Sequence, residues 1–297
     1  MLFLKGKGMD ISVNANYLKA RRNSEVRRSP EECMRICAEA GFKVVDYSPN
    51  IYCDEWEKVV DEAVKSAATL GIKIEQTHAP YNFYAKRDPE RFYELLDRSV
   101  IAAIRMGVSQ IVFHADEYHP APDMPFDVKE GLEAVYASLA PHIEKTLKGG
   151  VKVALENVFE DHPKKRTHFC GDLDELVAII EKFGDERVGC CWDFGHGKLG
   201  VGNDGHCDAL KRLGDKIICT HVHDNYYGKD LHLPPFMGDA NWEELMRTMK
   251  QIGYRGNLTF ELVYGKLDES LVLPFMKNLY HTGEILVKMF EEGDKKQ

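Results

Sequence analysis

Val151-Lys152-Val153-Ala154-Leu155-Glu156 is a short strand-like run that ends in a carboxylate. Five other apolar runs of the chain also end in a residue that can hold a metal ion or move a proton. In chain order these terminal residues are separated by steps of 36, 42, 37, 28 and 40 positions, about one strand–helix unit each. Active sites of parallel barrels form where the strands end, so this register predicts a functional site. The terminal residues are His78, His114, Glu156, Asp193, His221 and Glu261.

Strand-like and helical patterns alternate along the chain. Strand patterns occur near residues 9–14, 43–47, 72–77, 110–114, 151–156, 188–193, 216–221 and 257–261. Amphipathic helical patterns occur near residues 30–40, 54–70, 88–106, 126–148, 172–183, 205–213, 241–252 and 272–291. Eight such units in 297 residues predict a parallel (β/α)8 TIM barrel, with an open six-stranded sheet as the alternative. We expect residues 1–297 to form this one barrel domain, with a polar C-terminal tail at about 291–297.

The composition is that of an ordinary soluble globular protein, with 44% hydrophobic and 29% charged residues. No apolar run reaches about 18 residues, and the stretch after Met1 is too short for a secretory signal, so we expect no membrane partner. A formal net charge of −9 argues against a nucleic-acid partner. The eight scattered cysteines are typical of reduced thiols in a cytoplasmic protein. Whether the chain forms a homo-oligomer is left open by the sequence.

Four of the strand-end residues form an oxygen-rich ligand set: Glu156, Asp193, His221 and Glu261. Three carboxylates and one imidazole favour Mn²⁺, with Zn²⁺, Co²⁺ and Mg²⁺ as alternatives, over a structural zinc site built from thiolates. Taken singly, each residue also has an ordinary explanation, such as a helix cap or a paired core side chain. Their shared position at strand ends favours a metal site.

Motifs around these residues resemble those of a known family. They are Leu155-Glu156-Asn157, Trp192-Asp193-Phe194-Gly195-His196, His221-Val222-His223-Asp224-Asn225 and the stretch from Asp230 to Trp242. Together they resemble the xylose-isomerase-like barrel superfamily, and in particular its sugar (phosphate) isomerase/epimerase branch. The resemblance implies an isomerase in which the four strand-end ligands hold one metal ion. It also implies that the two glutamates transfer protons and that the histidine of the second motif contacts a substrate oxygen.

The chemistry of sugar carbonyls explains this set of residues. A proton on the carbon beside a carbonyl is weakly acidic, and a divalent ion stabilises the enediolate that its removal leaves. One carboxylate removes the proton. Return of a proton from the other face gives an epimer, and return to the adjacent carbon gives the aldose–ketose isomer. We therefore predict Glu156 and Glu261 as the acid–base pair, acting on a small sugar or polyol substrate.

Other residues are candidate substrate contacts. The polar candidates are His196, His114, His78 and Lys229, and an aromatic candidate for the pocket wall is Trp192. An aromatic residue beside a strand is equally often part of the core.

Two positions depart from the epimerase pattern. Tyr227 stands where an arginine is frequent, and His162 stands where a glutamate is frequent. The substrate contacts at these two positions are therefore expected to differ from those of the epimerases. Lys229 and the basic run at 164–166 are candidates for phosphate binding, although a solvated loop explains the run more simply.

Four further histidines and one aspartate support a rival interpretation. Together with the central four residues, they resemble the trinuclear zinc set of endonuclease IV-type DNA-repair enzymes, which cleave a phosphodiester beside an abasic sugar. The acidic chain, which lacks a basic stretch interleaved with aromatic residues, argues against that activity. The additional candidate ligands are His78, His114, His196, Asp230 and His232.

Two further classes stay open at the level of sequence. A dehydratase of a keto-cyclitol or a dehydroshikimate-type substrate would use the same metal and base, with a hydroxyl leaving after the enediolate forms. A non-catalytic carbohydrate-binding barrel is less favoured, because binding alone rarely needs an open divalent-metal site flanked by two carboxylates.

Overall fold

Eight of the ten described strands form one parallel sheet. The computed structural model describes residues 9–20, 25–80, 88–116, 118, 124–160, 166–263 and 267–293. The sheet has the order β10-β1-β2-β3-β4-β5-β6-β7, and the other two strands pair only with each other. The strands are β1 (Ile11–Asn14), β2 (Val44–Asp46), β3 (Lys73–His78), β4 (Gln110–His114), β5 (Lys152–Glu156), β6 (Val188–Asp193), β7 (Ile217–His221), β8 (Asp224–Tyr226), β9 (Lys229–Leu233) and β10 (Leu258–Phe260).

The sheet closes through the residue that follows β7. The backbone N–H of Val222 donates to the Thr259 carbonyl at 2.8 Å, and the N–H of Glu261 donates to the Val222 carbonyl at 3.2 Å. These bonds join the two outer strands of the sheet and produce a nearly closed barrel. The prediction of a (β/α)8 barrel is confirmed, and the open six-stranded alternative is wrong.

Helices separate the successive strands and begin where the sequence carries capping residues. In the capping box at the start of α1, Ser29 Oγ accepts from the Glu32 N–H at 3.2 Å and Glu32 Oε2 accepts from the Ser29 N–H at 2.8 Å. No helix of the described residues has the length and apolar character to cross a membrane. The helices are α1 (Pro30–Ala40), α2 (Trp56–Leu70), α3 (Pro89–Met106), α4 (Val128–Lys148), α5 (Leu173–Phe183), α6 (Phe194–Leu213), α7 (Trp242–Gln251) and α8 (Glu269–Glu292).

The barrel interior consists of an apolar layer beneath a polar one. Side chains two positions apart on a strand point to the same face. Small and medium apolar side chains from β4 to β7 pack together in one cluster, namely Val112, Ala154, Cys191 and Cys219. Two positions later, the same four strands end in His114, Glu156, Asp193 and His221. The polar strand ends therefore project inward above a packed apolar floor.

Two elements differ from the sequence prediction, and both lie beside the polar layer. Helix α6 begins at Phe194, about eleven residues before the amphipathic pattern, in a segment with five glycines. Asp193 caps this start, because its Oδ1 accepts from the His196 N–H at 2.7 Å. Residues 222–240, between the strand pattern near 216–221 and the helical pattern near 241–252, contain the antiparallel hairpin β8–β9. Tyr227 and Gly228 at its tip both have positive φ, as a two-residue hairpin turn of type I′ requires.

Helix α8 packs against β1, α1 and α7 and so covers the seam between the first and last strands. Leu279 on this helix is 1% exposed, whereas Leu271 on the same helix is 51% exposed. We predict that Leu279→Ala lowers the free energy of unfolding by about 2–5 kcal/mol, because it leaves a cavity in the core. The matched control Leu271→Ala should change it by less than about 0.5 kcal/mol. Urea unfolding measures both variants, and equal destabilisation would contradict this packing.

Candidate functional site

The four central residues predicted from the strand ends converge at the carboxyl end of the barrel. Glu156, Asp193 and His221 are the last residues of β5, β6 and β7, and Glu261 directly follows β10. Ligand atoms of all four lie within 4.8 Å of one another. All four residues are buried. The structure thus brings this predicted set together in one place.

His221 lies at the centre of this set. Its Nδ1 is 3.2 Å from Glu156 Oε2, 3.2 Å from Glu261 Oε2 and 3.9 Å from Asp193 Oδ2. Among the described residues this nitrogen has no hydrogen-bond partner. Buried polar atoms without a partner are rare. A ring nitrogen that faces three carboxylates without such a bond fits the ligand shell of a divalent cation.

Glu156 is shared between two groups of potential ligands. Its Oε2 lies 3.0 Å from His78 Nε2 and 3.4 Å from His114 Nε2, and ligand atoms of these three residues lie within 4.8 Å of one another. Burial alone would raise the pKa of Glu156, but the positive charges of His221 and His114 hold it well below its usual range. A cation at this position would have the same effect as those imidazolium rings.

A third group of potential ligands is supplied mainly by α6 and the hairpin. It consists of His196, His223, Asp230 and His232, again within 4.8 Å of one another. Asp230 Oδ2 lies 3.2 Å from His232 Nε2 and 3.7 Å from His196 Nε2. His232 Nδ1 donates to the carbonyl of Glu261 at 3.1 Å, which connects this group to the central one. All the additional ligands considered for a multi-zinc site are therefore in place around the central four.

His223 connects the central and third groups and was not singled out in the sequence. Its Nε2 lies 2.9 and 3.0 Å from the two carboxylate oxygens of Asp193, and its ring stacks on that of His232 with centroids 4.0 Å apart. Burial alone would raise the pKa of Asp193, but His196 and His223 lower it to about 2. A Cβ at Gly195 would lie 1.8 Å from the His223 ring, so the glycine is required for this approach.

Further polar residues contact the potential ligands through hydrogen bonds. Sequence reasoning also missed these residues. Asn14 Nδ2 donates to Glu261 Oε1 at 3.0 Å, and Gln76 Nε2 lies 2.9 Å from both His221 Nε2 and Asp46 Oδ2. Such outer contacts orient metal ligands. Asn14 and Asp46 do end strands, so the same strand-end criterion would have found them. Gln76 lies within β3, where only the closed barrel brings it beneath His221.

The other predicted substrate contacts lie apart from the ligand groups. Trp192 is 1% exposed, and its Nε1 donates to His206 Nε2 at 3.0 Å. Lys229 is exposed on the hairpin, and Tyr227 at its tip is 80% exposed. The departure at position 162 and the lysines at 164 and 165 lie outside the described residues. A substrate role for Trp192 and Lys229 therefore stays a prediction.

A cavity adjoins the central group and is large enough for a small molecule. Its volume is about 680 Å³, within the range of about 300–1,000 Å³ that is usual for ligand pockets. Glu261, His78 and Asn14 line it on the side of the ligand groups. Of the four central residues, Glu261 therefore borders a space that a substrate can occupy.

The family model of the xylose isomerase-like TIM barrel matches residues 34–276 of this sequence. The chain belongs to that family. The match extends from α1 into α8 and includes every residue of the three ligand groups. The resemblance read from the motifs is thereby confirmed.

Relatives of this xylose isomerase-like barrel include an uncharacterised protein, y4fM, of Sinorhizobium fredii. It is 28% identical over 186 residues, which are 61% of this chain and 56% of that protein. The solved structure of a D-tagatose 3-epimerase-like protein has a TM-score of 0.72 at 21% identity and covers 97% of this chain and 99% of its own. That of an L-ribulose 3-epimerase has a TM-score of 0.72 at 16% identity, with coverages of 97% and 96%. At these identities the two structures share the fold with this chain.

His232 and His221 hold protons at neutral pH when no cation is bound. Burial alone would lower the pKa of His232, but its hydrogen bond to Asp230 and the nearby carboxylates raise it to about 9. The carboxylates around His221 likewise raise its pKa well above the usual value against the effect of burial. A metal ion binds the neutral ring, so it must displace these protons.

We predict that the affinity for Mn²⁺ or Zn²⁺ increases as the pH rises from about 6 to about 9, because protonated rings compete with the metal below their raised pKa values. Isothermal titration calorimetry at several pH values measures the affinity. Repeating each titration in buffers of different ionisation enthalpy gives the number of protons released. An affinity that is constant or decreases over this range would contradict the assignment of these histidines as ligands.

Proposed function

We propose that this protein is a metal-dependent isomerase or epimerase of a small sugar or related polyol. The observation that carries the proposal is that two carboxylates, Glu156 and Glu261, each lie 3.2 Å from His221 Nδ1, and that Glu261 also lines a cavity. The names of structurally similar proteins support it, because they include a D-tagatose 3-epimerase-like protein and an L-ribulose 3-epimerase.

The proposed metal ligands are Glu156, Asp193, His221 and Glu261. Three of the four supply carboxylate oxygens, so Mn²⁺ suits the set well, and Zn²⁺, Co²⁺ or Mg²⁺ are alternatives. When bound, such an ion supplies Lewis-acid polarisation of a sugar carbonyl. Two observations support this assignment: His221 Nδ1 has no hydrogen-bond partner in the described part of the chain, and the carboxylates around it are buried.

The two glutamates are the proposed proton-transferring pair. Glu156 is ionised at neutral pH because its pKa lies well below the usual range, as a base requires. Glu261 approaches from β10 and is oriented by Asn14. One carboxylate removes the proton beside the carbonyl, and the other returns a proton to the same or the adjacent carbon. His196, whose Nδ1 lies 3.2 Å from Glu156 Oε1, is the proposed contact to a substrate oxygen.

We predict that Glu156→Gln and Glu261→Gln each decrease exchange of the substrate's carbon-bound proton by at least about 100-fold, because an amide cannot accept that proton. The measurement is proton NMR of a panel of ketoses and aldoses in heavy water. Metal content of each variant is determined in parallel, since both residues are also proposed ligands.

The matched control for this experiment is Glu186→Gln, an exposed glutamate just before β6. It should leave exchange unchanged. Undiminished exchange in metal-loaded Glu156→Gln and Glu261→Gln would refute the assignment of the pair.

A second candidate function is favoured by the three adjoining ligand groups. Glu156 belongs both to the central group and to the group of His78 and His114, and the third group contains His196, Asp230 and His232. An arrangement of this kind can hold several metal ions, which suits cleavage of a phosphate ester, as in the endonuclease IV type of enzyme. The net charge of −9 makes a polyanionic nucleic acid a poor partner for this chain.

Metal stoichiometry distinguishes the two candidates. We predict one tightly bound ion per chain for the sugar isomerase, because one ligand set suffices for polarisation of a carbonyl. Mass spectrometry of the native protein and elemental analysis measure the number of ions. Three zinc ions per chain, together with cleavage of a duplex that contains an abasic site, would instead support the phosphodiesterase.

A further inference from the structure

The cavity beside the central group has a second, cationic side. Besides Glu261 and His78, its wall includes Lys19, Arg27 and Arg28 from the segment between β1 and α1. The carboxylates at this side are Glu62, which lines the cavity, and Glu269, which pairs with Arg28. The carboxylate of Asp46 also acts on Lys19 electrostatically. This side of the cavity is therefore rich in cations, although the chain has a net charge of −9.

Lys19 is held by a backbone carbonyl and an aromatic ring. Its Nζ donates to the carbonyl of Ser48 and lies 4.4 Å from the ring centroid of Tyr47. Within the described part of the chain, no carboxylate oxygen lies within ion-pair distance of this ammonium. Burial lowers the pKa of Lys19 to about 8, although Cys33 and Asp46 oppose this shift. A carbonyl and an aromatic face compensate a half-buried cation only in part.

Polar groups connect this side of the cavity to the ligand groups. Ser48 Oγ accepts from the backbone N–H of His78 at 2.9 Å, and Asn16 Oδ1 accepts from the N–H of Ser48 at 2.8 Å. Asn14, at the end of β1, contacts Glu261 and lies five residues before Lys19. A single polar wall therefore runs from the proposed acid–base pair to the ammonium.

We propose that the substrate of this site is an anionic sugar, carrying a carboxylate or a phosphate apart from its reacting carbonyl, and that Lys19 is the residue that binds the anionic group. This inference rests on the proposed sugar isomerase function. An anion at Lys19 supplies a counter-charge in direct contact with the ammonium inside the cavity, where an ion pair is less screened than at the surface. Lys229 is a weaker candidate, because it is exposed on the hairpin.

The test compares the dissociation constants of three ketoses for the purified, metal-containing protein. The probes are D-fructose, D-fructose 6-phosphate and D-fructuronate, measured by isothermal titration calorimetry. We expect at least one of the two anionic ketoses to bind about tenfold or more tightly than D-fructose, because a charge-assisted hydrogen bond replaces a neutral one. Which of the two is preferred distinguishes a phosphate from a carboxylate.

Substitution of Lys19 assigns this preference to its side chain. Lys19→Met should abolish the preference for the anionic ketose and leave the affinity for D-fructose within about twofold, whereas Lys19→Arg should retain the preference. Lys148→Gln is the control, because this lysine is 73% exposed near the end of α4, away from the cavity. Thermal unfolding verifies the fold of each variant, and Lys19→Gln replaces Lys19→Met should that variant unfold.

Three results would overturn the inference: equal affinities for the three ketoses, no binding of either anionic ketose, or a preference that survives in Lys19→Met. The proposed function fails separately, if no sugar undergoes exchange of a carbon-bound proton. If the protein exchanges protons on neutral sugars but substitution of Lys19 does not change its preference among the ketoses, the proposed function stands and only the inference about Lys19 fails.

Discussion

The mutual repulsion of buried carboxylates is the constraint on which this site depends. Glu156, Asp193 and Glu261 are brought out of water around one imidazole nitrogen that has no hydrogen-bond partner among the described residues. Such a cluster is stable only with positive charge nearby, whether protons on histidine or a divalent ion. Positive charge on four histidines whose pKa values the surrounding carboxylates raise balances this cluster when the metal is absent, and the pKa values of Glu156 and Asp193 are lowered in turn. These histidines are His114, His196, His221 and His232. The histidines that stabilise this carboxylate cluster are therefore also candidates to bind a metal ion.

The barrel supplies the rigidity that this arrangement needs. Inward-facing side chains alternate with outward-facing ones, so the last residues of β4 to β7 each stand above an apolar side chain two positions earlier. A buried apolar cluster lies beneath these residues and consists of Val112, Ala154, Cys191 and Cys219. Pairing between neighbouring strands sets His114 beside Glu156 and Asp193 beside His221. Because the floor is packed and the register is fixed, the carboxylates cannot relax away from one another.

The two possible chemistries of the site differ in which ligand groups take part. Sugar isomerisation requires only the central group and its cavity, and the remaining histidines then serve as hydrogen-bonding groups for substrate oxygens. A multi-metal hydrolase requires all three groups, with Glu156 shared between two of them. The cations around Lys19 are compatible with an anionic sugar in the first case. They are few compared with the net charge of −9, and that net charge disfavours binding of a long polyanion.

The sequence by itself determined the barrel and the position of the four central residues at or just after strand ends, because both follow from local rules. Strand length, capping residues and the return of a ligand-type residue at each strand end are visible without tertiary contacts, and they predicted Glu156, Asp193, His221 and Glu261 as one set. Only the tertiary structure decided the role of residues whose partners are distant in the chain. Gln76 reaches His221 across 145 positions, His223 needs Gly195 for its approach to Asp193, and Lys19 meets Ser48 only after β1 and β2 pair. The sequence patterns also did not predict the hairpin that carries Asp230 or the glycine-rich start of α6. Neither element has a periodic apolar pattern, and both are held by contacts with the site itself.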